Sequence, residues 1–244
     1  MSERLQKLIA NAGYGSRRWA ERLIEQGRVS LNNHDVKLGD KAILNDKVRI
    51  DGKLIDLNRY VEAETKVLIL NKQAGFICST KDTEGRKSVF DLLPGNSRWI
   101  IIGRLDLNSS GLLLFTNNGE LANKLMHPSA QIDREYAVRV LGKVKEEHIM
   151  KLINGVELED GFAKFHKVTQ GGGEGANRWY RVVIREGRKR EVRRLWEFLD
   201  FKVSRLIRIR FGDIRLPDKL RSNQTEYLKP NQVQALLNSV NLRD

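Results

Sequence analysis

Three short apolar runs set the strongest limit on this fold: VLIL at 67–70, WIII at 99–102 and GLLLF at 111–115. Turn residues break them up, and each is too short for a buried helix, so they read as buried strands. Helical patterns lie between and after them. From Lys66 onward the chain therefore reads as a mixed α+β domain.

The segment RLDLNSS (104–110) is the loop between the second and third runs. Asn117 with Glu120 makes a capping-box start for a short helix that Pro128 ends. Tyr136 to Leu141 alternates as a strand, Lys145 to Asn154 is helical up to Gly155, and Arg178 to Arg185 is a strand after QGGGEG. Val192, Leu195, Trp196 and Leu199 mark the buried stripe of a basic helix, leaving Arg190, Arg193 and Arg194 on its exposed face. On the next strand Ile207, Ile209 and Phe211 are expected inward and Arg208 and Arg210 outward.

The first sixty residues differ in texture. Leu5, Leu8, Ile9 and Ala12 share one face of a short helix closed by Gly13. Ser16 is a good N-cap for a second helix, with Arg17, Arg18 and Arg22 off its apolar stripe and Gly27 as its stop. RVSLN and the Val48–Ile50 region are short strands, and the polar DGKLIDLNRY (51–60) is expected as a linker. Residues 1–59 and 60–244 are the two expected domains.

Composition narrows the class of partner. Forty-four Lys and Arg against 31 Asp and Glu leave +13 on a chain that is 40% hydrophobic, too apolar for a disordered basic tail. Residues 178–221 alone hold 15 basic and 6 acidic side chains, a surplus of +9. A folded protein with a polyanionic partner follows, with RNA preferred because Trp179 and Tyr180 suit a sheet that meets unstacked bases. The lone Cys78 and four scattered histidines exclude a disulfide scaffold and a structural zinc module. No apolar run nears the ~20 residues of a membrane span, and MSERLQKLIANAG lacks a signal peptide's apolar stretch, so a cytoplasmic protein is expected. No heptad is visible, and a monomer is expected.

Asp106 begins a D-x-N-x-S-G pattern like half a calcium loop. The pattern fails at its twelfth position, where Asn117 replaces the required bidentate Glu. No phosphate-cradling motif or nucleophile elbow is present. What remains is a carboxylate in a loop gripped by two strands. From the residues alone it is either a turn-forming Asp or a reactive group.

The segment GRLDLNSSGLLLFTNNG closely resembles the signature of RNA pseudouridine synthases of the small-subunit/large-subunit ribosomal type. REYAVRV around Tyr136 and EGRKREVRRLWE around Arg193 resemble that family's second and third motifs, in the right order. The first sixty residues resemble the S4 RNA-binding domain, with SRR (16–18) and GRVSLN in the expected places. Two departures are Ser109 for the usual Thr and Asn118 for the usual Asp. The third motif sits nearer the large-subunit (23S) branch, and the small-subunit branch stays open.

The resemblance implies an S4-like α/β domain followed by a mixed, largely antiparallel-sheet pseudouridine synthase domain that isomerises a uridine of ribosomal RNA, as a stem-loop or within an assembling subunit. The reaction breaks N1–C1′, turns the uracil and rejoins it through C5, with no redox change, so no cofactor or metal is expected. The family implies Asp106 as nucleophile, by attack on C1′, by an elimination giving a glycal or by attack on C6. It implies Tyr136 stacked on the uracil and Arg193 as the fixed cation that keeps Asp106 ionised. Arg104 resembles a residue inserted into the vacated base stack. Phosphate contacts are expected from Arg4, Ser16, Arg17 and Arg18, and from Arg190, Arg194, Arg208 and Arg210. The competing readings are a non-enzymatic S4-type ribosome assembly or stress factor and an S4-bearing aminoacyl-tRNA synthetase, whose ATP-site signatures are missing.

Overall fold

The structure, a computed structural model, describes residues 2–59, 64–80, 82, 84–95, 98–173 and 176–242. Internal contacts divide the chain into Met1–Glu64 and Thr65–Asp244. The expected boundary adjoins residues 60–63, which lie outside the described ones.

In the N-terminal unit the helices span Leu5–Asn11 and Arg17–Glu25. Gly13 takes φ +82° after the first, and Ser16 Oγ accepts from the Trp19 N–H at 3.1 Å to cap the second. Their apolar faces close on Val29 and Val48. An antiparallel sheet runs in the order His34–Asp35, Val29–Leu31, Val48–Ile50, Lys53–Ile55. The stretch 51–60 is thus not simply a linker. Asp51 and Gly52 both have positive φ and form the two-residue hairpin turn that an Asp-Gly pair favours, and Ile55 and Leu57 enter the core.

The C-terminal unit is built on a nine-stranded sheet. Its main path runs Lys167–Gln170, Asn177–Ile184, Arg134–Leu141, Lys202–Phe211, Ser110–Thr116, Val67–Lys72, Thr225–Tyr227. The apolar runs are explained by burial on both faces. Leu68, Leu70, Leu113 and Phe115 enter one core, while Val67, Ile69, Leu112 and Leu114 enter the other. Among the described residues the strand pairings of this sheet are antiparallel except Lys202–Phe211 against Ser110–Thr116. That parallel contact needs glycine at 111: φ is +101°, and a Cβ there would lie 2.3 Å from the Arg208 carbonyl oxygen.

Three sequence expectations change here. The cap of the Gly119–Met126 helix is Asn118, which accepts from the Glu120 and Leu121 N–H groups, while Asn117 Oδ1 accepts from the Lys66 N–H. Asn therefore does what the family's usual Asp would do at 118.

Arg193 is not on an exposed helix face: it is 7% exposed. Arg194, half-buried, gives both Nη atoms to Asp160 at 2.8 Å.

The third change is on Lys202–Phe211, where Val203, Leu206, Arg208 and Phe211 are the buried residues. Two register shifts against the Tyr136 strand, at Glu135/Tyr136 and Arg139/Val140, each break the alternation by one residue. Such bulges re-aim side chains. Arg208 is therefore 1% exposed, and Arg210 is held by Glu135 and Asp133. Neither forms the open phosphate-binding face expected of that strand.

Candidate active site

The Asp106 loop is held by its backbone. Lys72, fully buried at the end of the first apolar strand, sends Nζ to the carbonyls of Asp106 (3.1 Å), Leu107 (3.4 Å) and Ser109 (2.7 Å). The Gly75 N–H also reaches the Leu107 carbonyl at 2.8 Å, and the Ser109 N–H closes a turn on the Asp106 carbonyl at 3.0 Å. Arg193 Nη2 donates to the Asn108 carbonyl at 3.0 Å and Nη1 to the Val203 carbonyl at 3.0 Å. Cys78 Sγ donates to the Leu105 carbonyl at 3.3 Å. Every carbonyl from Leu105 to Ser109 has a donor.

The Asp106 side chain is left for other work. It is half-buried, and among the described residues no ion pair within 4.0 Å reaches it. Arg193 thus meets the loop through Asn108, and its effect on the carboxylate is through space. The Asp106 charge raises the pKa of both Arg193 and Lys72, against burial, which lowers both more. Two cations therefore sense the carboxylate without consuming its oxygens.

Asp106 opens into a cleft of about 670 Å³ that Tyr136 and Arg104 also line. Tyr136 is 7% exposed. It is directly opposite Val182 on one neighbouring strand and Arg208 on the other. Arg104 is exposed, as is Arg190, which pairs with Glu197 at 2.8 Å. Arg134 and Arg208, both buried, line the same cleft. Arg193 does not line it. Sequence reasoning missed Lys72 and Arg134. The trace of Lys72 was a lone cation closing the apolar run VLILNK.

In the N-terminal unit Arg4, Ser16, Arg17 and Arg18 are all exposed. Ser16 is used as the cap, while the three arginines make no ion pair within 4.0 Å among the described residues. Arg17 and Arg18 sit in the first helical turn, where the helix dipole favours anions over cations. An anion binding there would relieve that mismatch.

A family profile for RNA pseudouridylate synthase matches residues 66–197, and one for the S4 domain matches residues 3–42. The chain belongs to the pseudouridine synthase family and is an enzyme of that class. It is 52% identical over 231 residues to ribosomal large subunit pseudouridine synthase B of Yersinia pestis, covering 93% of this chain and 73% of that protein. The protein of the same name from Vibrio vulnificus is 52% identical over 248 residues, covering 100% of this chain and 77% of the relative. A crystal structure of a pseudouridylate synthase superposes with a TM-score of 0.67 at 25% identity, over 96% of this chain and 99% of that one. No helix among the described residues is long and apolar enough to cross a membrane.

Proposed function

We propose that the chain converts a uridine of large-subunit ribosomal RNA to pseudouridine, with Asp106 as nucleophile, Tyr136 against the uracil and Arg193 as the supporting cation. The target class rests on the relatives' names. The residue roles rest on one observation above all: the loop's carbonyls are all bound, while the Asp106 carboxylate, free of close ion pairs, opens into the cleft beside Tyr136. A carboxylate fixed by its own backbone is pre-organised for attack.

Tyr136 offers a flat apolar face on which a detached uracil can turn without leaving. Arg104, exposed at the cleft, fills the stack that the flipped nucleotide vacates, offsetting part of an extrusion cost of a few kcal/mol. Arg4, Arg17 and Arg18 supply phosphate contacts that place the RNA without reading bases. The same reading takes the acting form as a cytoplasmic monomer, whose mass sedimentation of the purified chain checks.

Asp106→Asn keeps the shape and removes the nucleophile. Pseudouridine in a large-subunit transcript, mapped after incubation with the purified variant, should be absent, while RNA affinity stays within about twofold of the parent. Product formed by the variant would remove Asp106 from the chemistry and reopen the binding-factor reading.

A further inference from the structure

Among the described residues Arg208 is the most deeply buried arginine, at 1% exposure, and it lines the Asp106 cleft. Its Nε donates to the Leu112 carbonyl at 2.7 Å, and its guanidinium lies 5.5 Å from the Phe211 ring centroid. Nη2 is buried with no hydrogen-bond partner, and among the described residues no carboxylate comes within 4.0 Å of the group. Nη1 faces Gly103, the residue before the nucleophile loop's first arginine, where a Cβ would sit 3.5 Å away. A second buried arginine, Arg134, stacks on the same Phe211 ring at 5.2 Å and is destabilised in its charged form by burial and then by Arg208 itself.

A buried guanidinium with free N–H groups, no counter-ion and a like-charged neighbour is costly. Among the described residues no anion lies within 4.0 Å, so the compensating charge is left to arrive with the substrate. Position says which part of the substrate. Arg208 is directly opposite Tyr136 on one side and Gly111 on the other, so it stands between the ring and the strand that leaves the nucleophile loop. Directly opposed side chains in a sheet are about 5 Å apart at Cβ. A base stacked on Tyr136 would present its edge to that guanidinium.

We propose that Arg208 is a catalytic residue that donates to the uracil carbonyl oxygens and stabilises the negative charge that develops on the base. This rests on the pseudouridine synthase reading and adds a role to it. The charge balance is the same for each route open to Asp106. When N1–C1′ breaks, its electron pair goes to N1 and delocalises onto O2 and O4, while C1′ is captured by Asp106 Oδ or C2′ gives its proton to Asp106 Oδ and forms the C1′=C2′ bond of the glycal. When Asp106 Oδ adds to C6, the C5–C6 π pair moves toward O4. In all three the pyrimidine becomes anionic; the charge leaves it as C5 bonds to C1′ while the C1′–Oδ or C6–Oδ bond breaks to free the Asp106 carboxylate, or the glycal C2′ regains its proton, and loss of the C5 proton with uptake of one at N1 completes the isomer. A donor fixed before the charge appears costs no reorganisation at that moment.

The test compares Arg208→Gln and Arg208→Lys with the parent chain in single-turnover assays. The substrates are a large-subunit ribosomal transcript and the same transcript made with 5-fluorouridine. Fluorine withdraws electrons and stabilises the base anion by itself. For Arg208→Gln we expect N1–C1′ cleavage on the uridine RNA to slow by about 10²–10³, with RNA affinity within about twofold, and the defect to shrink at least about tenfold on the fluorinated RNA. Arg208→Lys, which keeps a charge and serves if the Gln variant does not fold, should recover about tenfold over Gln or show the same narrowing. Equal losses on the two RNAs mean a structural role and overturn the proposal. So does weaker binding with a salt slope smaller by about 1, which marks a phosphate contact. A parent chain that forms no pseudouridine would instead sink the function on which the proposal stands.

Discussion

Arg17 and Arg18 of the N-terminal unit and Arg193 and Arg208 of the C-terminal unit look alike in sequence, as basic residues beside apolar ones. Their surroundings are opposite. The first two are exposed and make no ion pair within 4.0 Å among the described residues, while the second two are 7% and 1% exposed and aimed at backbone carbonyls. Arg194 and Arg210 form a third case, occupied by Asp160 and by Glu135 with Asp133. The +9 concentrated in residues 178–221 is therefore partly used to build the site, and it overstates the surface that can meet a phosphate backbone. Exposure, more than charge count, separates a cation left open to a partner from one that organises the fold.

The sharpest way to break this contrast is Lys72→Met. It would orphan the Ser109 carbonyl and strip one donor from the Asp106 and Leu107 carbonyls. Each buried orphan costs about 1–3 kcal/mol, so calorimetry should show a loss of roughly 3 kcal/mol with turnover down far more than RNA affinity. Unchanged stability and turnover would mean that the loop holds itself. Next in size, Arg17→Ala with Arg18→Ala should weaken RNA binding about tenfold and flatten its salt dependence by between 1 and 2, read from titrations at several salt concentrations. Arg194→Ala in the same titrations should leave the slope alone. If the two behave alike, exposure does not sort these arginines.

The smallest effect concerns acid. Hydrogen bonds from Arg194 hold the Asp160 carboxyl below the usual range, with Arg188 adding to this against some desolvation. A lowered folded-state value means that the stabilisation is present above the ordinary carboxylate pKa and is lost as pH falls through the lowered one. Asp160→Asn should therefore remove a slight stability advantage at neutral pH that shrinks toward zero in strong acid, measured as melting temperature against pH.

Much of this was legible because the residues had one way to satisfy themselves. VLIL and GLLLF could only be strands with both faces covered, and Ser16 was a cap by position. The signature loop marked Asp106, and the Tyr136 strand kept strict alternation. What stayed hidden depended on pairing. Whether Arg208 points inward is decided by two bulges against a strand some seventy residues earlier in the chain, which no local pattern contains. The Asp51–Gly52 turn was readable as a hairpin signal, yet the polar residues around it favoured a linker until Leu57 was seen in the core. Lys72 offered a cation on an apolar run, and nothing nearby in sequence said that its partners were carbonyls thirty-odd residues later.

On the function proposed above, a loop whose carbonyls from Leu105 to Ser109 are all bound cannot follow an ill-placed nucleotide. Adaptation then falls to the RNA. Transcripts whose target residue is already poorly stacked would be served faster than well-ordered ones, by the same unmoving tool. Selectivity in such an enzyme is written partly in how readily each candidate site comes apart.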